Sequence, residues 1–181
     1  MNLPNRLTLA RILLIPFFLL IASLKFPYAE YIAAAIFVLG AATDGLDGYF
    51  ARKNKQVTLL GKFLDPLADK ILVSAALITL VEMGRLSGAI AVVIISREFA
   101  VTGLRAVVVA EGIVLSASKL GKIKTVTQIV AIVALFIRDP LADFFHFPLA
   151  GLAMAVAVVF TIWSGFDYFS STWKVLKKGG F

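Results

Sequence analysis

Apolar residues fall into six long blocks separated by short polar stretches, and this block pattern dominates the chain. The blocks cover Leu7–Leu24, Tyr31–Gly48, Leu64–Leu80, Leu86–Val109, Val126–Ile137 and Pro148–Phe169. A bilayer core takes about 20 predominantly apolar residues per helix, and backbone polar groups in lipid are satisfied only within helices or closed barrels. The pattern therefore predicts an all-α, six-span integral membrane protein. The fifth block is the shortest and crosses only with Thr125 and Gln128 included; a five-span reading drops it. No small-residue cleavage site follows the first block before Phe26 and Pro27, so it reads as a retained span and not a signal peptide. No linker, repeat or low-complexity segment interrupts the chain, and residues 1–181 read as one membrane domain.

Composition agrees. The chain is 60% hydrophobic with 15 Phe, 16% charged residues and a mean hydropathy of +0.94, too little polar surface for a soluble domain of 181 residues. There are no cysteines, which excludes disulfides. Of the 18 Lys and Arg residues, all but Lys25, Arg85 and Arg138 fall on one face when the six spans are threaded alternately. The positive-inside rule puts that face, with both termini and the loop 111–124, in the cytosol. The net charge of +7 then faces anionic head groups or phosphorylated substrates. Nucleic acid is excluded as a partner, because the charge lies in a membrane band and not on an exposed arm. Trp163, Tyr168, Trp173 and the Phe-rich spans read as lipid-facing or interfacial anchors. The small-residue runs Ala33–Ala35 and Ser74–Ala76 permit close helix packing. His146, the single histidine, is predicted on the outer face.

Against this background the carboxylates stand out. Asp44, Asp47, Asp65 and Asp69 occupy one short, mostly apolar stretch and are four of the 11 acidic residues. Carboxylates there are costly unless neutralised, so a cation is required among them. Asp44 and Asp47 stand three apart at the end of the second span, and Asp65 and Asp69 four apart at the start of the third, spacings that put each pair on one helix face. Four converging carboxylates suit hard divalent ions, Mg²⁺ or Mn²⁺, and disfavour zinc or copper. Two such ions about 4 Å apart are the usual arrangement for displacement at phosphorus. Gly48 and Gly61 let a ligand approach the backbone, and Arg52, one turn after Gly48, presents a fork to phosphate oxygens. The set describes a site for a pyrophosphate-bearing lipid.

The pattern D-x-x-D-G-x-x-A-R-x(8)-G-x-x-x-D-x-x-x-D, running from Asp44 through Ala51 and Arg52 to Asp69, resembles at every position the signature of the CDP-alcohol phosphotransferase family of six-span membrane enzymes. Further segments, Pro4–Thr8, Ser96–Arg105 and Leu120–Thr125, resemble its bacterial branch that makes phosphatidylglycerophosphate. The resemblance implies that Asp44 and Asp65 bridge two metal ions, that Asp47 completes one and Asp69 the other, and that Asp69 is also the base for the attacking hydroxyl. It implies that Gly48, Ala51, Arg52 and Thr58 hold the cytidine diphosphate, with Gly61 allowing close packing. The implied reaction transfers a phosphatidyl group from CDP-diacylglycerol to sn-glycerol 3-phosphate, releasing CMP. A homodimer in the bacterial cell membrane is implied as well.

The remaining polar residues carry paired readings. Arg97 and Arg105 lie eight apart on one face of the fourth span and need anions; with Lys122 and Lys124 they are candidates for the acceptor's phosphate, against simple cytosolic anchoring for the lysines. Asn5 and Thr8 either cap the first helix or touch the CDP-lipid. Glu98 reads as an ion partner or a substrate contact, Asp167 as an end-of-span residue, Glu82 and Glu111 as solvated charges. An ion-coupled transporter is the alternative from another class, although it has no need of the A-R and paired glycine spacing. Other glycerol-type, inositol-type or phosphatidylglycerol acceptors are the alternatives within the enzyme reading.

Overall fold

The computed structural model describes residues 3–24, 26–53, 59–110, 118–137 and 148–178, with side chains outside 3–7, 44–53, 59–63, 65, 110, 175–176 and 178. Its elements are six α-helices: α1 (Leu3–Ser23), α2 (Ala29–Lys53), α3 (Leu59–Glu82), α4 (Gly88–Ala110), α5 (Lys119–Phe136) and α6 (Leu149–Lys178). Each predicted apolar block lies largely within one of them, and no strand occurs among the described residues. The helices overrun the blocks where the chemistry is. α2 continues past Gly48 to carry Arg52, and α3 begins before Leu64 so that Gly61 is already helical. α5 is helical over 18 residues, Thr125 and Gln128 included.

Among the described residues one helix segment, Leu149–Lys174, is by length and composition long and apolar enough to cross a membrane, at a mean hydropathy of 2.0; Thr8–Ser23 and Ala29–Thr43 are shorter apolar helices. α4 is as apolar on average as the other helices but sets three charges, Arg97, Glu98 and Arg105, inside a stretch otherwise rich in Val, Ile and Ala.

The packing closes a ring. α1 contacts α2 and α3, α3 contacts α4, α4 contacts α6, α6 contacts α5, and α5 returns to α2. α3 also touches α2 and α5, so it meets four of the other five described helices. The core is built from Phe18, Phe37, Leu72, Leu77, Leu80, Ile94, Ile132 and Phe136, each at most 1% exposed. Phe18 and Phe136 meet edge to face at 5.9 Å. Phe18, Phe37 and Phe136 depart from the lipid-facing expectation by filling gaps between helices, whereas Phe17, Phe99, Phe166 and Phe169 are exposed as expected. Trp163 and Trp173, 56% and 71% exposed, keep their outward position. Ala33, Ala34, Ala75 and Ala76 are buried as close-packing residues. At Gly40 a Cβ would stand 2.5 Å from Leu72 Cδ2, so glycine there sets the approach of α2 to α3.

Polar side chains tie the helix ends. Arg11, 1% exposed, donates from Nε to Thr43 Oγ1 at 3.4 Å, and Thr43 donates to the Gly40 carbonyl at 2.7 Å. At the other end of the bundle, α3 closes through Gly84, whose φ of 67° lies in the left-handed region, and Arg85 N–H donates to Leu80 O at 2.9 Å. The Arg85 side chain pairs with Glu30 at 2.6 Å and donates to the carbonyls of Leu135 and Phe136 at 3.1 and 2.8 Å. It thereby satisfies the last turn of α5, where orphan carbonyls and a negative dipole end favour a cation.

Candidate active site at the basic end of the bundle

A cavity of about 410 Å³ opens where the N-terminal turns of α3 and α5 meet the C-terminal halves of α4 and α6. Its lining includes Asp69 and Lys70 from α3, Arg97, Glu98 and Arg105 from α4, and Lys122 and Lys124 from α5. Five basic side chains against two acidic ones give this end an excess of positive charge, which suits an anionic ligand.

Local structure explains each position. Lys122 and Lys124 stand in the first turns of α5, which Ser118 caps by accepting the Gly121 N–H at 3.0 Å. The positive end of the α5 dipole therefore adds to the lysine charges at the cavity. The two lysines differ in surroundings. Lys122 is exposed, whereas Lys124 is 5% exposed and forms an ion pair with Glu98. Glu98 also accepts from Arg97 at 3.3 Å, so it links α4 to α5 as the ion partner expected of it. Thr102, one turn on, donates to the Glu98 carbonyl at 2.8 Å. Lys70 donates to the Pro66 carbonyl at 3.2 Å.

The two arginines are held from α6. Arg97 donates to Ser164 Oγ at 2.9 Å, and its buried Nε–H has no partner among the described residues. Arg105 donates from Nε to Tyr168 Oη at 3.4 Å, with its guanidinium 5.5 Å from the centre of the Tyr168 ring. Tyr168 is 7% exposed and lines the cavity, which corrects its expected place among the lipid-facing aromatics. A signal was present in the spacing of Thr161, Ser164, Tyr168 and Thr172, a polar stripe on one helix face in which all four are buried.

Thus Asp69, Arg97, Arg105, Lys122 and Lys124 are brought to one cavity from three helices. Asp44, Asp47, Gly48, Ala51 and Arg52 lie on the C-terminal turns of α2, and Gly61 and Asp65 on the first turns of α3; their side chains fall outside the described set. Thr58 and His146 lie outside the described residues, and Asn5 is described only as part of α1. Thr8 is 1% exposed within the α1 packing. Among the described residues no group of three or more His, Cys, Asp or Glu side chains gathers; of the four motif aspartates, Asp69 alone has a described side chain. The donor set nevertheless fits a hard divalent cation: all four are carboxylates, and the helices that carry them, α2 and α3, pack against each other.

Comparison with known proteins decides the family. The profile of the CDP-alcohol phosphatidyltransferase family matches residues 1–163. The chain belongs to this family. Among similar curated proteins, one from Bacillus subtilis (strain 168) is 50% identical over 188 residues, covering 97% of each chain. One from Yersinia enterocolitica is 39% identical over 184 residues, 97% of each. One from Rickettsia bellii is 37% identical over 171 residues, 94% of each. All three are named CDP-diacylglycerol–glycerol-3-phosphate 3-phosphatidyltransferase. The family match spans α1 to α5 and ends within α6, just before Ser164 and Tyr168.

Proposed function

We propose that this member of the CDP-alcohol phosphatidyltransferase family transfers the phosphatidyl group of CDP-diacylglycerol to sn-glycerol 3-phosphate, giving phosphatidylglycerophosphate and CMP. The observation that carries the acceptor is the cationic cavity beside Asp69, since the family motif speaks only to the CDP-linked donor. Glycerol 3-phosphate bears close to two negative charges at neutral pH. Arg105 and Lys122, both accessible, would take its phosphate, while Arg97 and Lys124, tied to Glu98, hold the cavity's shape and charge.

Asp44, Asp47, Asp65 and Asp69 would hold two divalent ions, Mg²⁺ or Mn²⁺, which when bound supply charge neutralisation at the pyrophosphate. Gly48, Ala51, Arg52, Thr58 and Gly61, with Asn5 and Thr8 near the start of α1, would hold the CDP-lipid. Asp69 takes the proton of the acceptor's primary hydroxyl as its oxygen bonds to the β-phosphorus. The bond from that phosphorus to the CMP oxygen breaks, and CMP leaves with the electron pair. Transfer is direct; no nucleophilic side chain or covalent intermediate enters.

The same reading makes residues 1–181 one domain with six spans in the bacterial cell membrane, the cavity and both termini cytosolic. What supports it is the basic ring around the cavity and the positive-inside rule. The family resemblance adds a homodimer. The test is CMP release from CDP-diacylglycerol by the purified protein with Mg²⁺ or Mn²⁺. Release that requires glycerol 3-phosphate is expected. Release with inositol or phosphatidylglycerol but not with glycerol 3-phosphate would overturn the acceptor assignment.

A further inference from the structure

Several buried polar side chains remain outside this chemistry, and Gln128 is one that borders a cavity. Gln128 lies one turn beyond Lys124 on the same face of α5 and is 2% exposed, yet neither its amide oxygen nor its amide nitrogen has a hydrogen-bond partner among the described residues. A primary amide desolvated at both ends is strongly unfavourable, and native interiors leave few such groups unpaired. It borders a second cavity of about 30 Å³, whose lining includes Asp69, Glu98 and Lys124, and these three also line the larger one. The small cavity is therefore the inner recess of the same polar end of the bundle.

Size and charge limit what enters the recess. Its volume of about 30 Å³ admits a small polar group such as a water. Asp69 and Glu98 oppose an anion, and Lys124 opposes a cation. A neutral hydroxyl satisfies all of these limits, and its one donor and two lone pairs match an amide that has both a donor and an acceptor to offer.

We infer that Gln128 is a specificity residue that receives a neutral hydroxyl: the C2 hydroxyl of glycerol 3-phosphate in the acceptor complex, and a water in its place beforehand. The inference rests on the acceptor proposed above. With the primary hydroxyl at Asp69 and the phosphate in the larger cavity, the C2 hydroxyl is one carbon from the reacting end and falls beside the recess that Asp69 shares. An acceptor without that hydroxyl leaves the amide unpaired, the situation in which sites discriminate most strongly.

The experiment compares kcat/KM for sn-glycerol 3-phosphate with that for 3-hydroxypropyl phosphate, which keeps the primary hydroxyl and the phosphate and lacks the C2 hydroxyl. The ratio of the two does not depend on how much enzyme is correctly inserted. The wild-type protein should favour glycerol 3-phosphate by roughly thirtyfold or more, and Gln128→Met, similar in length and apolar, should bring the ratio below about fivefold by losing activity toward glycerol 3-phosphate. If Gln128→Met does not insert, Gln128→Leu carries the same comparison. Either a wild-type ratio near one, as an ordered water alone would give, or a ratio that survives in the variant overturns the inference while leaving the proposed reaction standing. A wild-type protein without turnover on glycerol 3-phosphate overturns the proposed reaction, and this inference with it.

Discussion

Asp69 and Arg105 border the same cavity from different helices and should fail differently when replaced. In the proposed reaction Asp69→Asn removes the proton acceptor and retains the shape, so kcat should fall by roughly 10²-fold to 10⁴-fold, with binding of CDP-diacylglycerol partly kept. Equilibrium binding of the donor checks this; loss of binding would reduce Asp69 to a ligand of the donor site. Arg105→Ala removes the proposed charge-assisted contact to phosphate, about 1.5–3 kcal/mol and equivalent to roughly tenfold to a hundredfold. The KM for glycerol 3-phosphate should rise by that factor and the KM for the donor stay within about twofold. Steady-state kinetics with each substrate varied separates the two, and a change confined to the donor would misplace the phosphate pocket. Both residues were legible in the sequence because a charge within an apolar segment demands a partner. Tyr168 was not, since an aromatic near a span end has the same local appearance whether it faces lipid or an arginine.

At the scale of elements, α6 is the support on which the α4 arginines rest. A Cβ at Gly165 would stand 3.2 Å from Arg97 Cγ and 3.5 Å from its Nε, whereas at Gly151, on the same helix, it would meet nothing within 4 Å. Gly165→Val should therefore displace Arg97 and raise the acceptor KM by about threefold to thirtyfold, and Gly151→Ala should leave both substrates unaffected. Equal behaviour of the two variants in the same kinetic assay would remove α6 from the site. At the opposite end, Arg85 joins α2, α3 and α5 through Glu30 and the two α5 carbonyls. Arg85→Ala should lower the thermal midpoint in detergent by roughly 3–10 °C, on the order of 1–3 kcal/mol for a chain of this size, with kcat/KM of the remaining folded enzyme little changed. A midpoint within about 1 °C of wild type would mean that these bonds contribute nothing net.

For the whole molecule the open quantity is orientation. The chain has no cysteine, so single introduced thiols report their own side of the membrane. Ser87→Cys, exposed in the turn between α3 and α4, should react with a membrane-impermeant maleimide in intact cells; Lys119→Cys and Lys177→Cys, exposed near the cavity end of α5 and at the end of α6, should react only after permeabilisation. The reverse pattern would put the basic cavity outside and overturn the cytosolic assignment. The closed ring of helices places α3 against four neighbours, which is why Asp69 borders the same cavity as the cations of α4 and α5.

The sequence by itself determined the helices, the spacing of the motif aspartates and the requirement for cations near them. All three follow from local rules: block length against bilayer thickness, the 3.6-residue period, and the cost of a charge in apolar surroundings. Only the tertiary structure decided that Lys124 is consumed by Glu98 while Lys122 stays accessible, that Ser164 and Tyr168 hold Arg97 and Arg105, and that Gln128 borders a small recess shared with Asp69. These pairings join residues on different helices and depend on the rotation and depth of one helix against another. Side-chain packing sets those two quantities, and no local pattern in the chain carries them.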